Sequence, residues 1–202
     1  MLNLDSHVKY SKKHQYYIKE LGIPEYKHWD SGKKINKEIK KSIKDQLLVW
    51  QENKCAYCGL LLGGTSREEI EHIAPRHIYP QFEYITKNLV ISCQYCNSSS
   101  KKGRKNTVEI QNTYYNKCIF SIVHPYYDDV DRFFERMGAI ISVSTGLSAD
   151  EEKKAQNTID MFGLSENCHV EMRAKELCLE KIKEDMLCET YEELLDKISR
   201  YI

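Results

Sequence analysis

Two Cys-x-x-Cys pairs, Cys55-Ala-Tyr-Cys58 and Cys93-Gln-Tyr-Cys96, stand 34 residues apart, and the dipeptide Glu71-His72 lies between them. A Cys-x-x-Cys turn lets two thiolates reach one ion. Two such knuckles complete the tetrahedron that Zn²⁺ takes in closed structural sites. A redox Cys-x-x-Cys usually comes singly beside a βαβ pattern, and an iron–sulfur cluster is the rarer alternative for paired knuckles. Four thiolates fill the zinc shell and leave no position for water, so such an ion braces the fold and the reactive chemistry must lie elsewhere. The other cysteines, Cys118, Cys168, Cys178 and Cys188, lack this pairing, and the last two read as small core or surface residues.

The polar residues inside the knuckle frame suit phosphodiester hydrolysis. A histidine titrates near working pH, so His72 can take a proton from an attacking water. A hard divalent cation steadies phosphate oxygens, and Mg²⁺ accepts one or two carboxylates with amide oxygens and waters. Glu71 can supply the carboxylate and Asn97 an amide oxygen, while Asn88 can brace the loop carrying His72 through backbone hydrogen bonds. One geometric condition attaches. Neighbours on a regular strand point to opposite faces, so Glu71 and His72 reach one place only if the strand ends or twists there; Pro75 supplies a break close by.

These residues also carry a resemblance. The series CAYC…EHIAP…KNLVISCQYCNSSSKK resembles the HNH (ββα-metal) nucleases, whose members show Cys-x-x-Cys, Asp/Glu-His-Ile-x-Pro, an Asn before a strand, then Cys-x-x-Cys followed by His or Asn and a lysine. By that pattern His72 matches the first His and implies the general base, and Asn88 matches the middle Asn. Asn97 takes the third position, where many members carry His, and Glu71 takes a place often held by Asp. An all-oxygen set would favour Mg²⁺ or Mn²⁺ over softer ions. Over residues 53–135, IEHIAPRHIYP, NLVISCQYCNSSSK and IVHPYYDDVDRF are similar to the HNH subunits of Septu and retron-linked anti-phage systems. That resemblance implies DNA as substrate, products with a 5′ phosphate and a 3′ hydroxyl, and an ATPase partner of the ABC/SMC type.

Elements must position these groups. Ile35, Ile39, Ile43 and Leu47 recur every fourth residue, with Trp50 following and Lys37, Lys40, Lys41 and Lys44 on the other face, which predicts an amphipathic helix running into Cys55. EEIEHI at 68–73 and LVIS at 89–92 read as short strands, with a Gly63-Gly64 turn before them. Before residue 35 short helices or loops are expected, broken at Pro24 and Gly32. Beyond residue 107 a short strand, a turn at His124-Pro125, an amphipathic helical piece through DDVDRFFERM and a strand at AIISVST are expected. Capping boxes Ser148-x-x-Glu151 and Thr190-x-x-Glu193, with Ser165 as a further cap and Gly163 as a stop, make the C-terminal part helical, its last helix ending near Tyr201. The expected fold is α+β: a small zinc-stapled ββα core at 53–106, a helical extension at 1–52, and a mixed, then helical region at 107–202.

Composition agrees. The chain of 202 residues is 41% apolar and 30% charged, which suits a folded domain. Formal net charge is zero, but residues 1–106 hold 19 Lys/Arg against 11 Asp/Glu and residues 107–202 hold 11 against 19, a split of +8 and −8. A basic front half fits a polyanion site, and an acidic back half fits docking onto that half or onto a partner. Lys101, Lys102, Arg104 and Lys105 follow the second knuckle and serve either as phosphate contacts, Lys101 or Lys102 first, or as a solvated loop. Arg76 and His77 are further candidates for the nucleic-acid backbone. Tyr79, Tyr84, Tyr95, Tyr114 and Tyr115 can stack on bases or fill the core. His124 with Asp128 and Asp129 can be read as a second metal cluster, but more simply as a turn before a helix start. No membrane span is expected, and MLNLDSHVKYSKKH lacks a signal peptide's apolar run, so a cytoplasmic location is expected. The reading is a metal-dependent HNH endonuclease acting on DNA. Its alternatives are a non-catalytic zinc-knuckle module that binds nucleic acid or protein, an HNH enzyme directed at RNA, and a freestanding restriction or homing nuclease.

Overall fold

Helix α2 (Lys34–Trp50), preceded by α1 (Lys12–Glu20), buries Ile39, Ile43 and Leu47, as the four-residue apolar spacing predicts. The computed structural model describes residues 1–22, 25–63, 66–186 and 190–199; Pro24, Gly64, Cys188 and Tyr201, singled out from the sequence, lie outside them. The apolar face of α2 rests on a two-stranded antiparallel hairpin, β1 (Glu68–His72) and β2 (Leu89–Cys93), in which Ile70 faces Ile91 and His72 faces Leu89. All five residues of β2 are buried because the hairpin is covered on both sides. Leu89 and Ile91 pack with α2, Val8 and Trp29, whereas Val90 joins a second core with the knuckle cysteines, Tyr57 and Phe162. An alternating strand between two apolar layers reads as a continuous apolar run. At the end of α2, Gln51 donates to the Ile91 carbonyl and accepts from the Ile91 N–H, each at 2.8 Å, so one side chain pairs the outer edge of β2.

The segment after Cys96, where a ββα core would place its helix, runs as successive turns over 94–104. Asn97 N–H bonds the Cys93 carbonyl and Lys102 N–H the Cys96 carbonyl. Gly103 (φ +44°) closes this coil; a Cβ there would stand 2.9 Å from Ser99 Cα and 3.1 Å from the Ser98 carbonyl oxygen. The coil turns Lys102 into the protein.

Two further hairpins follow: β3 (Val108–Ile110) with β4 (Ile119–Phe120), and β5 (Phe134–Met137) with β6 (Ile140–Val143). The helical piece expected through residue 137 is confined to α3 (Val130–Phe133). Met137 pairs with Ile140 across a Gly138–Ala139 turn, and Gly138, at φ +58°, has the left-handed backbone such a turn needs. Helix α4 (Ala149–Phe162) opens on the Ser148–Glu151 capping box and stops at Gly163. Phe162 stacks on Tyr57 of the first knuckle at 3.8 Å between centroids. Helices α5 (Asn167–Met186) and α6 (Tyr191–Ile198) follow, with the Thr190–Glu193 box formed. Ser165 does not cap: its hydroxyl donates to the Ile141 carbonyl. Among the described residues no helix is long and apolar enough to cross a membrane.

Candidate active site and metal centre

The four knuckle cysteines converge. Their sulfurs all lie within 4.8 Å of one another, and every one of the four residues is buried. Cys93 N–H points at Cys55 Sγ (3.3 Å) and Cys96 N–H at Cys93 Sγ (3.4 Å), the bonds that favour thiolate over thiol. Hydrogen bonding to Cys55 and Cys93, then burial, pushes the Cys58 thiol well above its ordinary value, as expected where several sulfurs compete for ionisation without a cation. The donor set and spacing fit a closed tetrahedral zinc site.

On the far side of β1 opens a cleft of about 990 Å³. Its walls come from three places: Tyr26, Trp29 and Asp30 before α2; Ile70 to His72 with Pro75, Arg76 and His77; and the turn coil with Asn97, Lys102, Arg104 and Lys105. Strand β1 ends at His72, and Glu71 and His72 both line this cleft. His72 is anchored on one side. Its Nε2 lies 3.0 Å from the Glu83 carbonyl, and its ring meets Trp29 edge-on at 4.5 Å. A carbonyl only accepts, so Nε2 carries the proton and Nδ1 holds the free lone pair. Burial, then the charges of Lys102 and Arg76, pulls the imidazole down to about 3, so the ring is neutral at physiological pH.

Asn88 has no exposed surface and spends its amide on the loop around His72. It accepts from Ala74 N–H (2.7 Å) and donates to the carbonyls of Phe82 (2.9 Å) and Ala74 (3.2 Å). Tyr115 OH donates to the same amide oxygen. Asn97 donates through Nδ2 to Glu69 at 2.8 Å; a carboxylate only accepts, so the amide oxygen of Asn97 is turned away from it. Glu71 is buried in an ion pair with Lys102, whose ammonium also bonds the His72 carbonyl. Burial pushes the Glu71 carboxyl up and Lys102 opposes that. With side chains only 7% and 1% exposed, neither partner can turn to water. Lys102→Met should therefore lower the unfolding free energy by about 3–5 kcal/mol, read from urea midpoints, because it strands a buried carboxylate. A loss below about 1 kcal/mol, the value of a surface pair, would show the charge to be solvated.

Among the described residues the cysteines are the only group of three or more His, Cys, Asp or Glu close enough to share an ion. One carboxylate and one amide oxygen on a cleft wall still fit a hard cation that keeps most of its waters, as Mg²⁺ does. Such an ion would share the Glu71 carboxylate with Lys102 or displace it.

The expected phosphate contacts are scattered. Lys101 is ion-paired with Glu166 and lies over the Tyr95 ring, outside the cleft lining, because its neighbour is the one turned inward. Lys102 reaches the cleft but is committed to Glu71. Arg76 bridges the Tyr26 carbonyl and the Asp30 carboxylate, tying the loop before α2 across the cleft. His77 is exposed on the rim, and so is Arg104, whose guanidinium has no hydrogen bond or ion pair among the described residues. His124 forms the turn: its N–H bonds Asp128 at 2.6 Å and its ring reaches Tyr115. Sequence reasoning missed Trp29 and Glu83. Glu83 holds His72 through its carbonyl and Trp29 N–H through its carboxylate, yet it is 11 residues from one and 54 from the other.

An HNH endonuclease family model matches residues 55–103, the span holding both knuckles, His72, Asn88 and Asn97. The chain is 29% identical over 154 residues to the Septu protein PtuB of Bacillus mycoides (strain KBAB4), covering 66% of this chain and 50% of that protein. It is 42% identical over 62 residues to the Septu protein PtuB of Bacillus thuringiensis, covering 30% and 23%. It is 32% identical over 102 residues to Protein ea31 of Escherichia phage lambda, covering 50% and 30%. The chain thus spans half the length of the first of these relatives, and less of the other two. Residues 55–103 thus resemble an HNH endonuclease domain.

Proposed function

We propose that this HNH domain makes the chain a metal-dependent endonuclease that hydrolyses phosphodiester bonds in DNA. The observation that carries the reading is the poise of His72. Its Nε2–H is held by the Glu83 carbonyl, and its Nδ1 lone pair is free on a cleft shared with Glu71, Asn97 and the cationic groups of the turn coil. His72 Nδ1 takes the proton as a water attacks phosphorus. Glu83 and Trp29 keep the ring from turning, and Asn88 fixes the loop beyond it. Arg104 and His77 meet the phosphates that flank the scissile bond. Glu71 and Asn97 would hold Mg²⁺ or Mn²⁺, which supplies charge stabilisation at the phosphate oxygens and the leaving 3′ oxygen. The products are a 5′ phosphate and a 3′ hydroxyl. The four cysteines hold a structural zinc.

The relatives named as Septu proteins, and the resemblance to Septu and retron-linked HNH subunits, support a role as effector nuclease in anti-phage defence. They also support a partner ATPase of the ABC/SMC type and a cytoplasmic setting. The acidic C-terminal half is the surface for that partner.

The test is a nicking assay on supercoiled plasmid, single-stranded DNA and structured RNA, with the neighbouring ATPase supplied and omitted, in Mg²⁺ and in EDTA. Plasmid nicking that needs Mg²⁺ is the expected result. Cleavage of RNA alone would move the substrate class. A Mn²⁺ soak should add an anomalous peak between Glu71 and Asn97; nucleic-acid binding with no second ion and no cleavage under any condition would leave a zinc-braced binding module.

A further inference from the structure

A zinc ion with four thiolates is a dianion, and here it would be buried. Burying a charge is costly unless a counter-charge lies close. Arg173 on α5 is only 8% exposed and has no carboxylate partner among the described residues. Its Nε donates to the Ala139 carbonyl at 2.7 Å and its Nη2 to the Leu164 carbonyl, while Nη1 is buried with no hydrogen-bond partner among the described residues. Burial works against its charge, and so does the nearby Arg136; Cys58 first, then Cys168 and Cys96, sustain it. One helical turn earlier, His169 places Nε2 4.0 Å from Cys96 Sγ, its Nδ1 held at 2.8 Å by the Gly163 carbonyl. Residues four apart share a helix face, so both side chains come from the side of α5 that meets the knuckles. The helix and the residue before it touch both knuckles. Glu176, midway along α5, accepts from Leu61 N–H at 2.9 Å beside the first, and Glu166, just ahead of α5, accepts from Tyr95 OH within the second.

We propose that His169 and Arg173 are the outer shell of the tetrathiolate, Arg173 supplying the counter-charge and the His169 ring packing against Cys96, so that α5 belongs to the metal centre although it lies outside residues 55–103. A buried guanidinium without a carboxylate partner and a buried dianion each help to account for the other. The inference rests on the zinc reading, and not on cleavage.

The experiment measures zinc content and zinc affinity of the full chain, the latter in competition with a chromophoric chelator. The wild-type chain should carry a single zinc. Outer-shell partners of metal ligands typically contribute about 10–100-fold in affinity, and Arg173→Met should lose that much. Arg173→Lys keeps the charge without the fork and should recover most of it. If the Met and Lys variants lose affinity alike, the backbone bonds of the guanidinium explain the effect and the proposal fails; affinity within about twofold of wild type for Arg173→Met overturns it directly. His169→Phe gives a reading independent of those variants: in the Co²⁺-substituted chain it should shift the sulfur-to-cobalt charge-transfer bands, and an unchanged spectrum removes His169 from the shell. A wild-type chain without zinc overturns the zinc reading, and this inference with it.

Discussion

His72→Ala should reduce cleavage by about 10²–10⁴-fold, the range a positioned general base contributes, with zinc content unchanged. The size follows from the setting. Nδ1 is the basic nitrogen on the cleft, and the ring is held by a 3.0 Å bond and an aromatic edge contact, so no other imidazole takes its place. His77 lines the same cleft but is exposed on the rim. Loss of packing against Trp29 is separated from loss of the base by His72→Gln, whose amide can still donate to the Glu83 carbonyl but cannot accept a proton at neutral pH. Both variants should be equally slow in a single-turnover assay. A Gln variant within about threefold of wild type would reduce the histidine to a positioning group and send the search for the base elsewhere.

Withdrawing zinc should unfold the core outright. Structural zinc contributes on the order of 10–16 kcal/mol in small knuckle domains, against a total stability of about 5–15 kcal/mol for an ordinary domain. By comparison, removing one partner of the Glu71–Lys102 pair costs about 3–5 kcal/mol. With zinc bound, the sulfur cluster would therefore be the largest single contributor to the fold. A strong chelator at neutral pH, or the double change Cys58→Ser and Cys93→Ser, should abolish the cooperative thermal transition, and zinc should restore it to the chelated chain but not to the double variant. An unchanged Tm after chelation would show that apolar packing of Tyr57, Phe162 and Val90 suffices by itself.

Local physics made much of this legible in advance. The four-residue apolar spacing of α2, the strands at 68 and 89, the boxes at Ser148 and Thr190, and the two knuckles each depend on neighbours within a few positions, and each stands where the spacing places it. One segment misleads for an identifiable reason. Phe133, Phe134 and Met137 fit a helical period, but the left-handed Gly138 folds the chain back and pairs Met137 with Ile140. After Cys96 the polar run through Gly103 reads as turns and loop and forms them; what the spacing does not show is the tight packing at Gly103, which sets which of two adjacent lysines points inward. The supporting groups of the site were not readable. Trp29, Glu83, His169 and Arg173 act across long sequence separations, and no periodicity marks them. A carbonyl acceptor such as that of Glu83 has no sequence signature, since every residue carries one.

The spacing of the knuckles bears on how the chain would respond to a protease. Cys58 and Cys93 bound a loop of 34 residues that contains His72 and the whole wall of β1. With the ion in place, both ends of that loop are fastened to one centre, much as a disulfide would fasten them. A single cut inside it would leave two fragments that still travel together on a sizing column and separate only when the metal is stripped.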